Sequence, residues 1–135
     1  MTGYSGTPLA KKLGIKDGYH IALVNEPDYY FNLFTELPDN IHWYRNMDHP
    51  ELDMIHLFVT SREIYSNQLH KAKNQIKKSG TIWISWPKKT SGIISDLNDN
   101  IIREMALETG LVDVKVCAVN EVWSGLKLVY RLKDR

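Results

Sequence analysis

Asp53-Met54-Ile55-His56-Leu57-Phe58-Val59-Thr60 and Thr81-Ile82-Trp83-Ile84-Ser85-Trp86-Pro87 are two nearly continuous apolar runs, and residues 61–79 between them place Ile64, Ala72 and Ile76 at helical spacing ahead of Gly80. An apolar run without alternation is the pattern of a strand covered on both faces. Buried strand, amphipathic helix, glycine stop and second buried strand read as a right-handed βαβ unit, which requires a parallel sheet. Thr60, three residues before Glu63, has the spacing of a capping box at the start of that helix. A parallel sheet has a rim at the carboxyl ends of its strands where ligands bind. Lys88 and Lys89 emerge at this rim.

Working outward, residues 3–6 read as flexible, and Thr7-Pro8 reads as an N-cap and first-turn proline for a short helix over 8–13 that stops at Gly14. Asp17-Gly18 is a turn before a compact apolar strand over 19–24. Asn25-Glu26-Pro27-Asp28 opens a second expected helix, with Phe31, Leu33, Phe34 and Leu37 on its buried side and Pro38 as its breaker. Residues 41–45 are shorter and more polar, which suits a sheet edge. On the far side, Ser91-Gly92 is a loop, and Ser95 or Asp96 is expected to cap a helix carrying Leu97, Ile101, Ile102, Met105 and Ala106, closed by Gly110. Two β-rich runs over 113–119 and 126–132 are joined by so short a link that they must pair antiparallel. The expected fold class is therefore α/β: one three-layer domain over 1–135 with a mostly parallel six-stranded sheet, order 2-1-3-4-6-5, and an antiparallel C-terminal hairpin.

Bulk properties bound the partners. The chain has 135 residues, 43% hydrophobic and 24% charged, with 17 basic and 16 acidic side chains for a net charge of +1. No global field draws it to nucleic acid or anionic lipid. Cys117 is the single cysteine, so no internal disulfide forms, which fits a reducing compartment. No apolar run reaches the ~18 residues of a membrane span, and Met1-Thr2-Gly3-Tyr4-Ser5-Gly6 lacks the hydrophobic region of a signal peptide. A cytoplasmic location without membrane contact is expected.

The order of elements resembles the Rossmann-like fold of class I methyltransferases, with the βαβ unit similar to the second half of such domains. A second resemblance lies in three words: Gly3-Tyr4-Ser5-Gly6-Thr7-Pro8-Leu9-Ala10-Lys11-Lys12-Leu13-Gly14, Trp83-Ile84-Ser85-Trp86-Pro87-Lys88-Lys89 and Glu121-Val122-Trp123-Ser124-Gly125-Leu126-Lys127. These are similar to a small bacterial family of single-domain proteins of unknown function. That resemblance covers essentially the whole chain and implies no activity, cofactor or catalytic residue.

The residues depart from a conventional cofactor site. Dinucleotide and S-adenosylmethionine sites need glycines after the first strand, so that backbone can approach the ligand, and an acid at the end of the second strand to hold the ribose hydroxyls. Val24-Asn25-Glu26-Pro27-Asp28 has no glycine, Pro27 lacks a backbone donor, and Arg45-Asn46 stands where the acid belongs. The cofactor is therefore left open. Conventional catalytic sets do not occur either. The five histidines (His20, His42, His49, His56, His70) lack metal-ligand spacing, and His56 reads as a hydrogen-bonded core histidine. Cys117 reads as an inert thiol, and Asp96 with Asp99 as helix-start charges.

The candidate site is what the strands deliver to the rim: Asn25 and Glu26, Thr60, Trp86, Lys88, Lys89 and Ser91, then Glu121, Trp123 and Ser124. Lys88 and Lys89 beside a helix N-terminus suit a phosphate or carboxylate, whereas Asp96 and Asp99 would repel it. Trp83 and Trp86 are three apart and face opposite sides of the sheet; Trp83 is core, while Trp86 either packs inward or stacks a ligand. Trp123, in a turn, is the better candidate for an exposed ring. The expected function is a non-enzymatic binding or interaction protein whose aromatic and basic rim holds an anionic small molecule or a protein partner. The alternative is a divergent methyltransferase-like or other nucleotide-ligand enzyme without the glycine loop. Single-stranded nucleic acid fits the near-neutral charge less well, and Trp43 and Tyr44 on the edge strand leave a homodimer open. The lysines of residues 11–12 and 71–78 read as solvated helix faces.

Overall fold

The computed structural model describes residues 7–135, so the flexibility expected for residues 3–6 lies outside the described residues. After helix α1 (Leu9–Leu13) come strands β1 (His20–Val24), β2 (His42–Tyr44) and β3 (Leu52–Phe58), helix α2 (Arg62–Gln75), strand β4 (Ile76–Pro87), helix α3 (Asp99–Thr109), and strands β5 (Leu111–Ala118) and β6 (Trp123–Tyr130). The sheet order is β2-β1-β3-β4-β6-β5. β2, β1, β3 and β4 run parallel to one another, and β6 is antiparallel to both β4 and β5. The α/β three-layer architecture, the strand order and the closing hairpin are those expected from the sequence.

Each face of the sheet has its own core. One is built on Tyr65, Leu69 and Ala72 of α2 and Ile102 and Ala106 of α3, packed against Ile55, Leu57, Ile82, Ile84 and Leu126. The other gathers Leu13, Ile21, Tyr30, Met54, Phe58, Trp83 and Trp123. Alternate residues of β3 and β4 enter opposite cores, which is why both strands are apolar throughout. Trp83 and Trp86 accordingly face opposite sides, both buried, and the indole N–H of Trp83 donates to the Leu13 carbonyl at 2.9 Å.

Several boundaries differ from the sequence reading. The helix expected after Asn25 is only a 3-10 turn over Tyr30–Leu33, and it buries Tyr30 while leaving Phe31 44% exposed. Pro27 and Pro38 bracket a segment rich in aromatic residues, too short and too weak in helix propensity to nucleate an α-helix. Pro8 itself is the N-cap of α1, and no side-chain cap bond is made there. α2 ends at Gln75, not at Gly80, and buries Tyr65 rather than Ile64, which is 42% exposed. Ile76 already belongs to β4 and pairs with Leu52. Residues 77–80 therefore run as strand, and Lys77 binds Asp53 at 2.9 Å instead of lining a helix face. Gly80 serves close approach: a Cβ there would lie 3.1 Å from the carbonyl oxygens of Asp53, Leu52 and Lys77.

The capping residues also move. Ser61, not Thr60, accepts the Ile64 N–H at 3.2 Å. Asn98, not Ser95 or Asp96, caps α3 through the Ile101 N–H at 2.9 Å. Asp96 instead accepts the Arg62 N–H at 2.9 Å, tying the loop before α3 to the start of α2. Gly110 does close α3, in the left-handed region at φ 92.

Candidate functional site

The chain leaves β1 for β2 on one side and then crosses back to β3 on the other, so β1 and β3 flank the topological switch point. Ligands in open α/β sheets bind outside the carboxyl ends of the strands at such a point. Asn25, directly after β1, turns the backbone through φ 59, a conformation that asparagine tolerates better than most residues. Its side-chain amide donates weakly to Gln68 of α2 at 3.4 Å. Glu26, Pro27 and Asp28 follow, and with Tyr30, Phe31 and Arg45 they enclose a cleft of about 300 Å³. Arg45 reaches it because β2 is parallel to β1 and in register with it, Ala22 opposite Tyr44.

Tyr30, which lines this cleft, begins a buried hydrogen-bonded chain. The Tyr30 hydroxyl meets His56 Nδ1 at 2.9 Å, and His56 Nε2 meets Ser85 Oγ at 2.7 Å. It joins the connection after β1 to β3 and to β4. Burial drives the His56 pKa down to about 3 and raises that of Tyr30, so both rings stay neutral. A neutral imidazole donates from one nitrogen and accepts at the other, and hydroxyls at both ends satisfy either arrangement. His56 is the hydrogen-bonded core histidine that the sequence suggests, with its two partners now identified. The wall is Phe31, set edge-on to Trp43 with ring centroids 4.9 Å apart.

A second hollow, of about 320 Å³, lies at the ends of β4 and β6 and is lined by Trp86, Pro87, Lys88, Lys89, Leu97, Asn98, Asp99, Val116 and Ser124. It shares no lining residue with the first. The rim read from the sequence thus comes apart. Trp86, Lys88, Lys89 and Ser124 come together in the second hollow, while Glu26 belongs to the first and Asn25 stands beside it. Ser91 and Thr60 line neither: Ser91 Oγ accepts the Ile93 N–H at 3.1 Å, and Thr60 is half-buried beyond β3. Glu121 is exposed in the β5–β6 turn.

Trp123 corrects the expectation of an exposed ring. It begins β6 opposite Pro87, is 9% exposed, packs edge-on against Phe58, and donates its indole N–H to the Tyr29 hydroxyl at 3.0 Å. The turn is shorter than its composition suggests, because Val119 N–H already bonds the Trp123 carbonyl at 2.9 Å. Cys117 is half-buried, and burial raises its pKa, which fits an unreactive thiol. The residues missed by the sequence reading are Asp28, Tyr30, Phe31 and Arg45. The signal for them was the parallel placement of the edge strand, which brings Arg45 beside the loop after β1. Among the described residues no cluster of histidine, cysteine and carboxylates is set to hold a metal ion, and no helix is long and apolar enough to cross a membrane.

The fold is shared with methyltransferases of known structure. A precorrin-6y C5,15-methyltransferase of Geobacter metallireducens superposes with a TM-score of 0.62 at 8% identity, covering 91% of this chain and 86% of that one. A SAM-dependent methyltransferase of Aquifex aeolicus gives 0.63 at 14% identity over 87% and 85%. Aeropyrum pernix fibrillarin, solved in complex with S-adenosyl-L-methionine, gives 0.56 at 11% identity over 90% and 73%. At such identities the likeness is one of fold. No curated protein matches the chain in sequence. Residues 34–132 match the family described as protein of unknown function (DUF3052), and the chain belongs to that family.

Proposed function

We propose that this chain is a divergent protein of methyltransferase-like topology that holds a nucleotide-like ligand in the cleft between Glu26 and Arg45. The observation that carries the reading is an aromatic ring, Phe31, left 44% exposed inside a cleft of about 300 Å³ at the topological switch point. An exposed ring there offers a face to a purine or pyrimidine. The carboxylates of Glu26 and Asp28 are acceptors for ribose hydroxyls or base amino groups. The methyltransferase-like topology supports the placement. The missing glycines and Pro27 mean that recognition falls to side chains rather than to backbone N–H groups.

The test is calorimetric titration and thermal shift of the chain with S-adenosylmethionine, its demethylated product, adenosine nucleotides and NAD(P). A saturable response is expected from at least one adenosine compound, weakened about tenfold in Phe31→Ala and in Glu26→Gln. A midpoint that never moves across the panel would remove this reading.

A second reading rests on the Trp86–Lys88 hollow. Two lysines, the buried edge of Trp86 and the cap of α3 line about 320 Å³, which suits a non-enzymatic anion or partner site. Asp99 in the first turn of α3 opposes an anion there. Binding lost in a Lys88→Ala, Lys89→Ala double variant but retained in Phe31→Ala would favour this second reading over the first.

A further inference from the structure

We infer that the ligand of the Glu26–Arg45 cleft carries a phosphate on its ribose, read by Arg45; the inference rests on the cleft being a nucleotide site. Arg45 follows β2 directly and lines the cleft, and it is exposed. Among the described residues its guanidinium has no ion pair, although Glu26 and Asp28 line the same cleft. Arg103 pairs with Asp113 and Arg131 with Asp134, each at 2.9 Å, whereas Arg62, like Arg45, has no ion pair among the described residues but lines neither hollow. An unpaired planar fork of donors is therefore presented at the site.

The position decides what the fork reads. In parallel α/β sheets the end of the second strand addresses the ribose: an acid there accepts from free hydroxyls, whereas an arginine accommodates a phosphorylated ribose. A guanidinium has donors only, so a free ribose diol offers it uncharged acceptors, whereas a phosphate offers an anionic acceptor that it binds as a bidentate ion pair. The carboxylates set the orientation. A phosphate near Glu26 and Asp28 is repelled, so the phosphate points to Arg45 and the hydroxyl and amino donors point to the two acids. Phe31 lies between as the stacking face.

The probes are adenosine 2′,5′-bisphosphate, adenosine 5′-monophosphate and adenosine, titrated into the full chain by calorimetry. The bisphosphate is expected to bind at least about tenfold more tightly than the monophosphate. That margin should fall below about twofold in Arg45→Ala and be only partly restored in Arg45→Lys, which keeps the charge and loses the fork. Far-ultraviolet circular dichroism verifies that each variant is folded. Three probes of equal affinity, insensitive to Arg45→Ala but weakened by Phe31→Ala, would leave the cleft as a nucleotide site and overturn the role of Arg45. That role is equally overturned if S-adenosylmethionine binds and Arg45→Ala leaves its affinity unchanged. Binding by none of these compounds, or binding indifferent to both Arg45 and Phe31, would overturn the cleft reading as well.

Discussion

At the residue scale the buried histidine, His56, is held between Tyr30 and Ser85. Both ring nitrogens are satisfied, so its cost is small while the ring is neutral. The sign of the pH dependence follows from its depressed pKa. The unfolded chain takes up a proton below about pH 6.5, and the folded chain resists until about pH 3. Stability from this group is thus complete above about pH 6.5 and falls as the pH drops toward 3. Each unit in that window removes up to about 1.4 kcal/mol. Urea midpoints at pH 7 and pH 5 should differ in the wild type and converge in His56→Gln. An undiminished difference in that variant would assign the effect to another group.

At the element scale, the decisive local event is where α2 begins and ends. Thr60 and Ser61 are both capable caps, and the choice falls to the serine because its hydroxyl reaches the Ile64 N–H. Ser61→Ala should cost about 1 kcal/mol, measured by chemical denaturation, and Thr60→Ala much less. Reversed costs would put the cap back at Thr60. The end of α2 is set by pairing. Ile76 looks like one more apolar residue of the helix, yet it turns extended and pairs with Leu52, and a register shift separates that pair from Met54 with Thr81. Helical spacing reads the side chain but is blind to a neighbouring strand with open hydrogen-bonding groups.

At the scale of the whole molecule the two faces of the sheet are covered unequally. α2 and α3 cover one face, whereas, among the described residues, the five-residue α1 and the 3-10 turn over Tyr30–Leu33 contribute to the core on the other. Native-state hydrogen exchange should therefore show residues 26–41 opening well before β3 and β4. Equal protection in the two regions would contradict that picture. The strand order and the terminal hairpin were readable because uninterrupted apolar runs, one helix-length spacing and one short link admit few topologies. His56 as a core residue was readable for the same reason, since it sits inside such a run. The site was readable only in pieces. Glu26 and Lys88 both emerge at the rim, but β1 and β4 are separated by β3, so they line different hollows. Trp123 looked exposed because a turn composition says nothing about a ring 5.0 Å away on β3. Local pattern and chain connectivity therefore determined the fold class and the order of the sheet. Only the tertiary structure decided that Arg45 lines one cleft with Glu26 and Phe31, because that placement depends on the parallel register of β1 and β2, which the irregular connection over residues 25–41 does not fix.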